Sequence, residues 1–143
     1  MEELPNGIRL YQYGTAPKEG AHVVQERFTL GEEGDPTRPI MMITRFPPGV
    51  KLPRHYHGGV FMDAVVEGSS RFGDGPWHHA GTVRWFPAKA MYGPVEAGPE
   101  GCVFLEFYID APGFKTTIDR ASLTPEIIAG LEARGIDWRA ISE

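Results

Sequence analysis

Strong chain breakers cut this sequence at short intervals. Pro47-Pro48-Gly49, Gly58-Gly59, Gly73-Asp74-Gly75-Pro76 and Gly98-Pro99-Glu100-Gly101 each supply the restricted or positive φ at which a chain reverses. Between such signals lie short β-rich segments, over residues 8–13, 22–30, 40–46, 52–57, 61–66, 70–72, 83–86, 91–95 and 103–109. A spacing of about ten residues or less predicts an all-β antiparallel sandwich or barrel. The 18 glycines and 13 prolines are spread along the chain and fit many turns. At 143 residues the chain is read as a single domain, 1–143, with a core of its own.

Helix is expected only near the C-terminus. There Thr124 stands at an N-cap position, Pro125 at the first helical position and Glu126 in the first turn. Leu123 and Ile128 can staple the entry, and Gly135 can end the helix after Arg134. Ile127, Ile128 and Leu131 then form an apolar stripe that must dock, either on the chain's own barrel or on a second subunit.

The net charge of −5 is interspersed, so it favours solubility and makes no case for nucleic acid. The single cysteine, Cys102, permits neither an internal disulfide nor a zinc–cysteine cluster, and a reducing compartment suits it. Following a glycine turn, Cys102 reads as a small strand residue. The opening MEELPNGIRLYQY lacks a basic start followed by an apolar stretch, and no run is long enough for a spanning helix. The expected location is cytoplasmic, with no membrane partner.

His55-Tyr56-His57 carries the clearest chemistry. Two imidazoles at i and i+2 on a strand leave from one face, as a pair of metal ligands does. The pair lies between Gly49 and Gly68. That frame resembles the first motif of the cupin superfamily: a glycine, a gap, two histidines one residue apart, a glutamate, and a closing glycine. The run from Gly81 to Pro87 resembles the second cupin motif. The resemblance implies an antiparallel jelly-roll β-barrel whose metal is held by the paired histidines, the first-motif glutamate and a second-motif histidine.

Two of those four positions depart from the pattern. Phe61 stands where the glutamate is expected and Tyr92 where the second histidine is, while Lys89 and Glu96 replace a family glycine and asparagine. Tyr92 either repairs the metal site as a phenolate ligand or packs in the lumen with its hydroxyl bonded. Asp63, on the same strand face as Phe61, is either a ligand or general base, or a solvent-facing acid. Glu106, among apolar neighbours in the last strand, is either an acid–base group or the partner of an arginine such as Arg45 or Arg84. His78 and His79 are expected to decorate a hairpin, and His22 has no motif around it. Phe46, Tyr56, Phe61, Trp85, Phe86 and Tyr92 are expected to give an apolar lumen.

Three functions follow. The first is a metal-dependent small-molecule enzyme, a non-haem iron dioxygenase resembling the cupins that cleave diketones or hydroxyacetophenones. A divalent transition metal on His55, His57 and one oxygen, with iron favoured, leaves positions open for an oxygenated substrate and oxygen. The second is a ligand-binding or sensor cupin with a decayed site. The third is metal-free acid–base catalysis, an isomerase or cyclase using His57 with Asp63 or Glu106. By family analogy, the apolar N-terminal strands suit a homodimer.

Overall fold

Side-chain alternation along two unusually long strands organises the molecule. The structure is a computed structural model that describes residues 1–12 and 23–143, so His22 lies outside the described residues. In chain order the strands are β1 (Glu2–Glu3), β2 (Arg9–Leu10), β3 (Val24–Thr29), β4 (Ile40–Phe46), β5 (Lys51–Leu52), β6 (His55–His57), β7 (Phe61–Phe72), β8 (His78–His79), β9 (Val83–Phe86), β10 (Val95–Tyr108) and β11 (Thr116–Ile118), followed by helix α1 (Pro125–Ala133). The main sheet runs β3-β4-β10-β7-β8, with β5 on β10 and β9 on β7. Every pairing within it is antiparallel. This is an all-β jelly-roll with a short C-terminal helix.

β7 and β10 change partners along their length. The start of β7 pairs with β9 and the end of β10, whereas its end pairs with β8 and the start of β10. Their alternation turns Phe61, Asp63 and Val65, with Phe104, Glu106 and Tyr108, into the interior. Phe46, Val65, Val95, Ala97, Cys102 and Phe104 fill one half of the core, and Ile40, Met42, Phe61, Phe86 and Tyr108 the other. Phe72 and Tyr92 touch both halves.

The expected strand ends at Gly68 and at Gly98-Pro99-Glu100-Gly101 are bulges instead. The register passes from Ala97 opposite Ser70 to Cys102 opposite Gly68, and both strands continue. Gly68 has φ +68°, and a Cβ there would lie 2.0 Å from the Gly101 carbonyl oxygen. Only glycine fits both the left-handed backbone and the close approach. The segment expected over 52–57 is broken between β5 and β6, and the one expected over 91–95 reduces to a bridge from Tyr92 to His55 before β10 begins.

The helix forms as its sequence signals indicate. Thr124 Oγ1 accepts from the Ile127 amide at 3.2 Å, Pro125 opens the helix, and Gly135 follows its end at φ +72°. Ile127 and Leu131 are buried against Ile118, with Leu123, Ile136, Trp138 and Ile141 around them. Helix and tail therefore close one end of their own barrel. The Ile118 amide donates to the Ile141 carbonyl at 2.7 Å, which fastens the tail to β11. No helix among the described residues is long and apolar enough to cross a membrane.

Candidate active site in the barrel lumen

Two strands and an isolated bridge hold the histidine pair. β11 pairs with β6, Thr116 opposite His57 and Ile118 opposite His55. On the other side the His55 and Tyr92 backbones exchange hydrogen bonds of 3.0 Å. Both imidazoles are buried, with ring centroids 5.2 Å apart and planes perpendicular. Nδ1 of His55 faces the Pro53 carbonyl at 2.7 Å, and Nδ1 of His57 faces that of Phe114 at 3.0 Å. A carbonyl oxygen only accepts, so each Nδ1 is assigned the proton and each Nε2 the lone pair. Burial, with the neighbouring His57 adding to it, lowers the pKa of His55 to about 4. Burial lowers that of His57 as well.

Aromatic rings enclose His57. Phe61 lies edge-on to it at 4.9 Å and stacks on Phe86 at 4.2 Å and Tyr108 at 4.8 Å. At the position expected for a glutamate, the chain thus has part of an aromatic stack. The Tyr92 hydroxyl lies 3.2 Å from His57 Nε2, and that of Tyr108 3.3 Å from the same nitrogen. Burial raises both phenols above their ordinary pKa, and the Glu106 charge adds to the effect. Both are therefore neutral hydroxyls at physiological pH.

Glu106 is 8% exposed, and none of the ion pairs among the described residues joins it to an arginine, contrary to one expectation for it. Arg45 bonds Glu26, and Arg84 bonds Asp63. The Glu106 carboxyl instead accepts from Thr44 Oγ1 at 2.6 Å and from Tyr108 at 3.4 Å. Gln25 Nε2 stands 3.4 Å behind Thr44. Burial lifts the Glu106 pKa to about 7, against the pull of the Thr44 hydrogen bond.

Asp63 is 4% exposed, which excludes a solvent-facing acid. Arg84 Nε and Nη2 each donate to one of its oxygens, both at 2.7 Å. Arg84 also donates to Ser70 at 2.9 Å and lies over the rings of Phe72 and Phe104 at 4.7 and 4.6 Å. Burial pushes the Asp63 carboxyl upward, while the Arg84 hydrogen bonds and charge pull it down. With both oxygens so engaged, Asp63 serves as the counter-ion of a buried guanidinium. His78 reaches Arg84 at 3.2 Å from the hairpin strand β8, and His79 is exposed. Burial pushes the Cys102 thiol to about 12, which leaves it unreactive.

These groups line a cavity of about 540 Å³ that runs from Asp63 and Arg84, past Glu106 and the histidines, to the helix and tail at Leu131, Arg134 and Ile141. Phe46, Phe61, Phe86 and Tyr92 are interior as expected, but Trp85 is 63% exposed and Tyr56 lies on the strand face opposite the histidines. Sequence reasoning missed Tyr108, Thr44, Gln25 and Arg134. Tyr108 could have been found, because it stands two residues after Glu106 on one strand and so shares its face.

No family model and no curated protein matches the chain. Solved structures do. It superposes on an RmlC-like cupin protein from Ralstonia eutropha with a TM-score of 0.54 at 17% identity, covering 90% of this chain and 86% of that one. The fold is the cupin fold. A second match is oxalate decarboxylase from Bacillus subtilis, with a TM-score of 0.54 at 19% identity, covering 82% of this chain but only 33% of that one. A third is an RmlC-like cupin from Shewanella frigidimarina, with a TM-score of 0.50 at 21% identity, over 64% of this chain and 79% of that one.

Within the cupin barrel the residues fit a metal only in part. Nδ1 protons anchored on carbonyls leave Nε2 as the coordinating atom of each imidazole and suit two ligands, although the Tyr92 and Tyr108 hydroxyls already stand at Nε2 of His57. The remaining donors do not complete a shell. No third histidine, cysteine or carboxylate joins the pair among the described residues, and the Tyr92 oxygen beside His57 Nε2 is that of a neutral phenol.

Proposed function

We propose that this cupin is a small-molecule enzyme that works by proton transfer in the barrel lumen. Glu106 and His57 form the acid–base couple, and the Tyr108 hydroxyl lies between them. The observation that carries this proposal is the chain of contacts from His57 Nε2 through Tyr108 to Glu106, a buried carboxyl with a pKa of about 7. A group poised near neutrality both accepts and returns a proton efficiently.

The network has two self-consistent states. With Glu106 ionised, Tyr108 donates to its carboxylate, and Tyr92 donates to His57 Nε2. With Glu106 protonated, its hydroxyl donates to Tyr108, which turns its own proton to His57. A proton taken from one atom of a bound molecule can thus be held on Glu106 and returned to another atom of the same molecule. No oxidant is consumed, and the net reaction is an isomerisation. The apolar walls keep water from competing.

A panel of small enolisable ketones, diketones and 2-oxo acids in deuterated water tests this, with exchange followed by NMR. We expect the protein to speed exchange in at least one member, and Glu106→Gln or His57→Gln to slow it at least about a hundredfold. Rates equal to buffer throughout would sink the proposal. Binding without exchange would make the cupin a ligand-binding module instead.

A second possibility, a metal-dependent dioxygenase, is favoured by the carbonyl-anchored histidines. It requires a third ligand beyond those described above. Stabilisation in a melting curve by iron, manganese, zinc or nickel, together with oxygen consumption, would favour it.

A further inference from the structure

Arg134 is a cation at the mouth of the cavity that forms no ion pair with a carboxylate among the described residues. It caps the C-terminal end of α1 and is half-buried. Its hydrogen bond is to a neutral group, with Nη2 donating to Gln25 Oε1 at 3.0 Å. Gln25 is fixed in turn, since its Nε2 reaches Thr44, the residue that donates to Glu106. A line of side chains therefore runs from the guanidinium at the mouth to the carboxyl in the lumen.

The other charges along the cavity are accounted for. Asp63 and Arg84 neutralise each other, and Lys115 and Glu143 are exposed. The negative end of α1 favours a cation at this position, but that effect is small and does not require the side chain to line a cavity. Burial pushes the Arg134 pKa down, and the charge of Glu106 offsets this only in part. Such a group gains most from a carboxylate, which it can grip with two parallel hydrogen bonds. The walls between Arg134 and Glu106 are largely apolar, with Leu131, Ile136, Phe114 and Phe46 among them.

We infer that the site takes a small carboxylic acid with an apolar body, its carboxylate held by Arg134 at the mouth and its reacting end beside Glu106 and His57. This deepens the proton-transfer proposal and rests on it for where the molecule reacts. Arg134 is a specificity residue here and moves no proton.

Titration calorimetry on the full chain at about pH 6, where a carboxyl of pKa near 7 is mostly protonated, tests the inference with 4-phenylbutyrate and its amide, 4-phenylbutyramide, as probes. We expect the acid to bind at least about tenfold more tightly than the amide, and Arg134→Gln to reduce that preference to within about twofold. Arg134→Lys, which keeps the charge but loses the fork, should fall between, and it carries the test should the glutamine variant not fold. Equal binding of acid and amide to the wild type, a preference that survives Arg134→Gln, or no binding of either probe would overturn the inference. The exchange assay on the wild type separates the two claims: an acid preference without exchange rejects the reaction and keeps the anchor, whereas exchange without an acid preference rejects the anchor alone.

Discussion

Glu106 sits among apolar side chains with hydroxyl groups as its hydrogen-bond partners, and that sets its titration. Its pKa rises from 4.5 to about 7 on folding. Below the lower value the carboxyl is neutral in both states. As pH rises past it, the unfolded chain ionises first, so stability falls until the folded carboxyl ionises too. His55 acts in the opposite sense. Its pKa falls from 6.5 to about 4 on folding, so it removes stability as pH drops through that window. Glu106→Gln should therefore gain stability relative to wild type between about pH 5 and about pH 8, by on the order of 3 kcal/mol. Denaturant titrations at the two pH values check this, and parallel behaviour of the two proteins would refute it. Much of this residue-scale picture was legible. The His-x-His spacing and the position of Tyr92 within the second motif both pointed into the lumen. The partners of Asp63 and Glu106 were not legible, because strand alternation shows which face a side chain takes and says little about what faces it across the barrel.

Strand boundaries were harder to read than strand faces. Gly68 and the Gly98–Gly101 run carry the residues of a turn, and in isolation a turn is what they signal. In the fold they meet each other, and the contact of Gly68 with the Gly101 carbonyl lets β7 and β10 continue past the bulge. That meeting joins segments distant in sequence, so no local pattern reveals it. Gly68→Ala should destabilise the protein by at least about 1–3 kcal/mol from the left-handed backbone alone, before the clash is counted. Thermal or denaturant melts measure this, and an unchanged midpoint would show that the bulge relaxes freely. The helix was the opposite case. Its start and stop rest on Thr124, Pro125 and Gly135, which act locally, so its limits could be read from the sequence.

At the scale of the whole molecule, the two motif frames sufficed to expect a jelly-roll, because together they set the histidine pair, Gly49, Gly68, Gly81 and Pro87 at the spacing of the cupin motifs. How the barrel is closed could not be read in the same way. The stripe of Ile127 and Leu131 had to dock, but its docking on Ile118, and with it the arrival of Arg134 at the cavity mouth, depends on tertiary packing. The result is a lumen with the Glu106 carboxyl and two imidazoles inside and the Arg134 guanidinium at its entrance. The central claim is that this lumen moves protons with its own side chains. The most direct test is solvent-deuterium exchange into an enolisable 2-oxo acid by protein stripped of metal and assayed in excess chelator. We predict exchange at the rate of untreated protein, lost on Glu106→Gln. Exchange that vanishes with chelator and returns with added iron would contradict that claim.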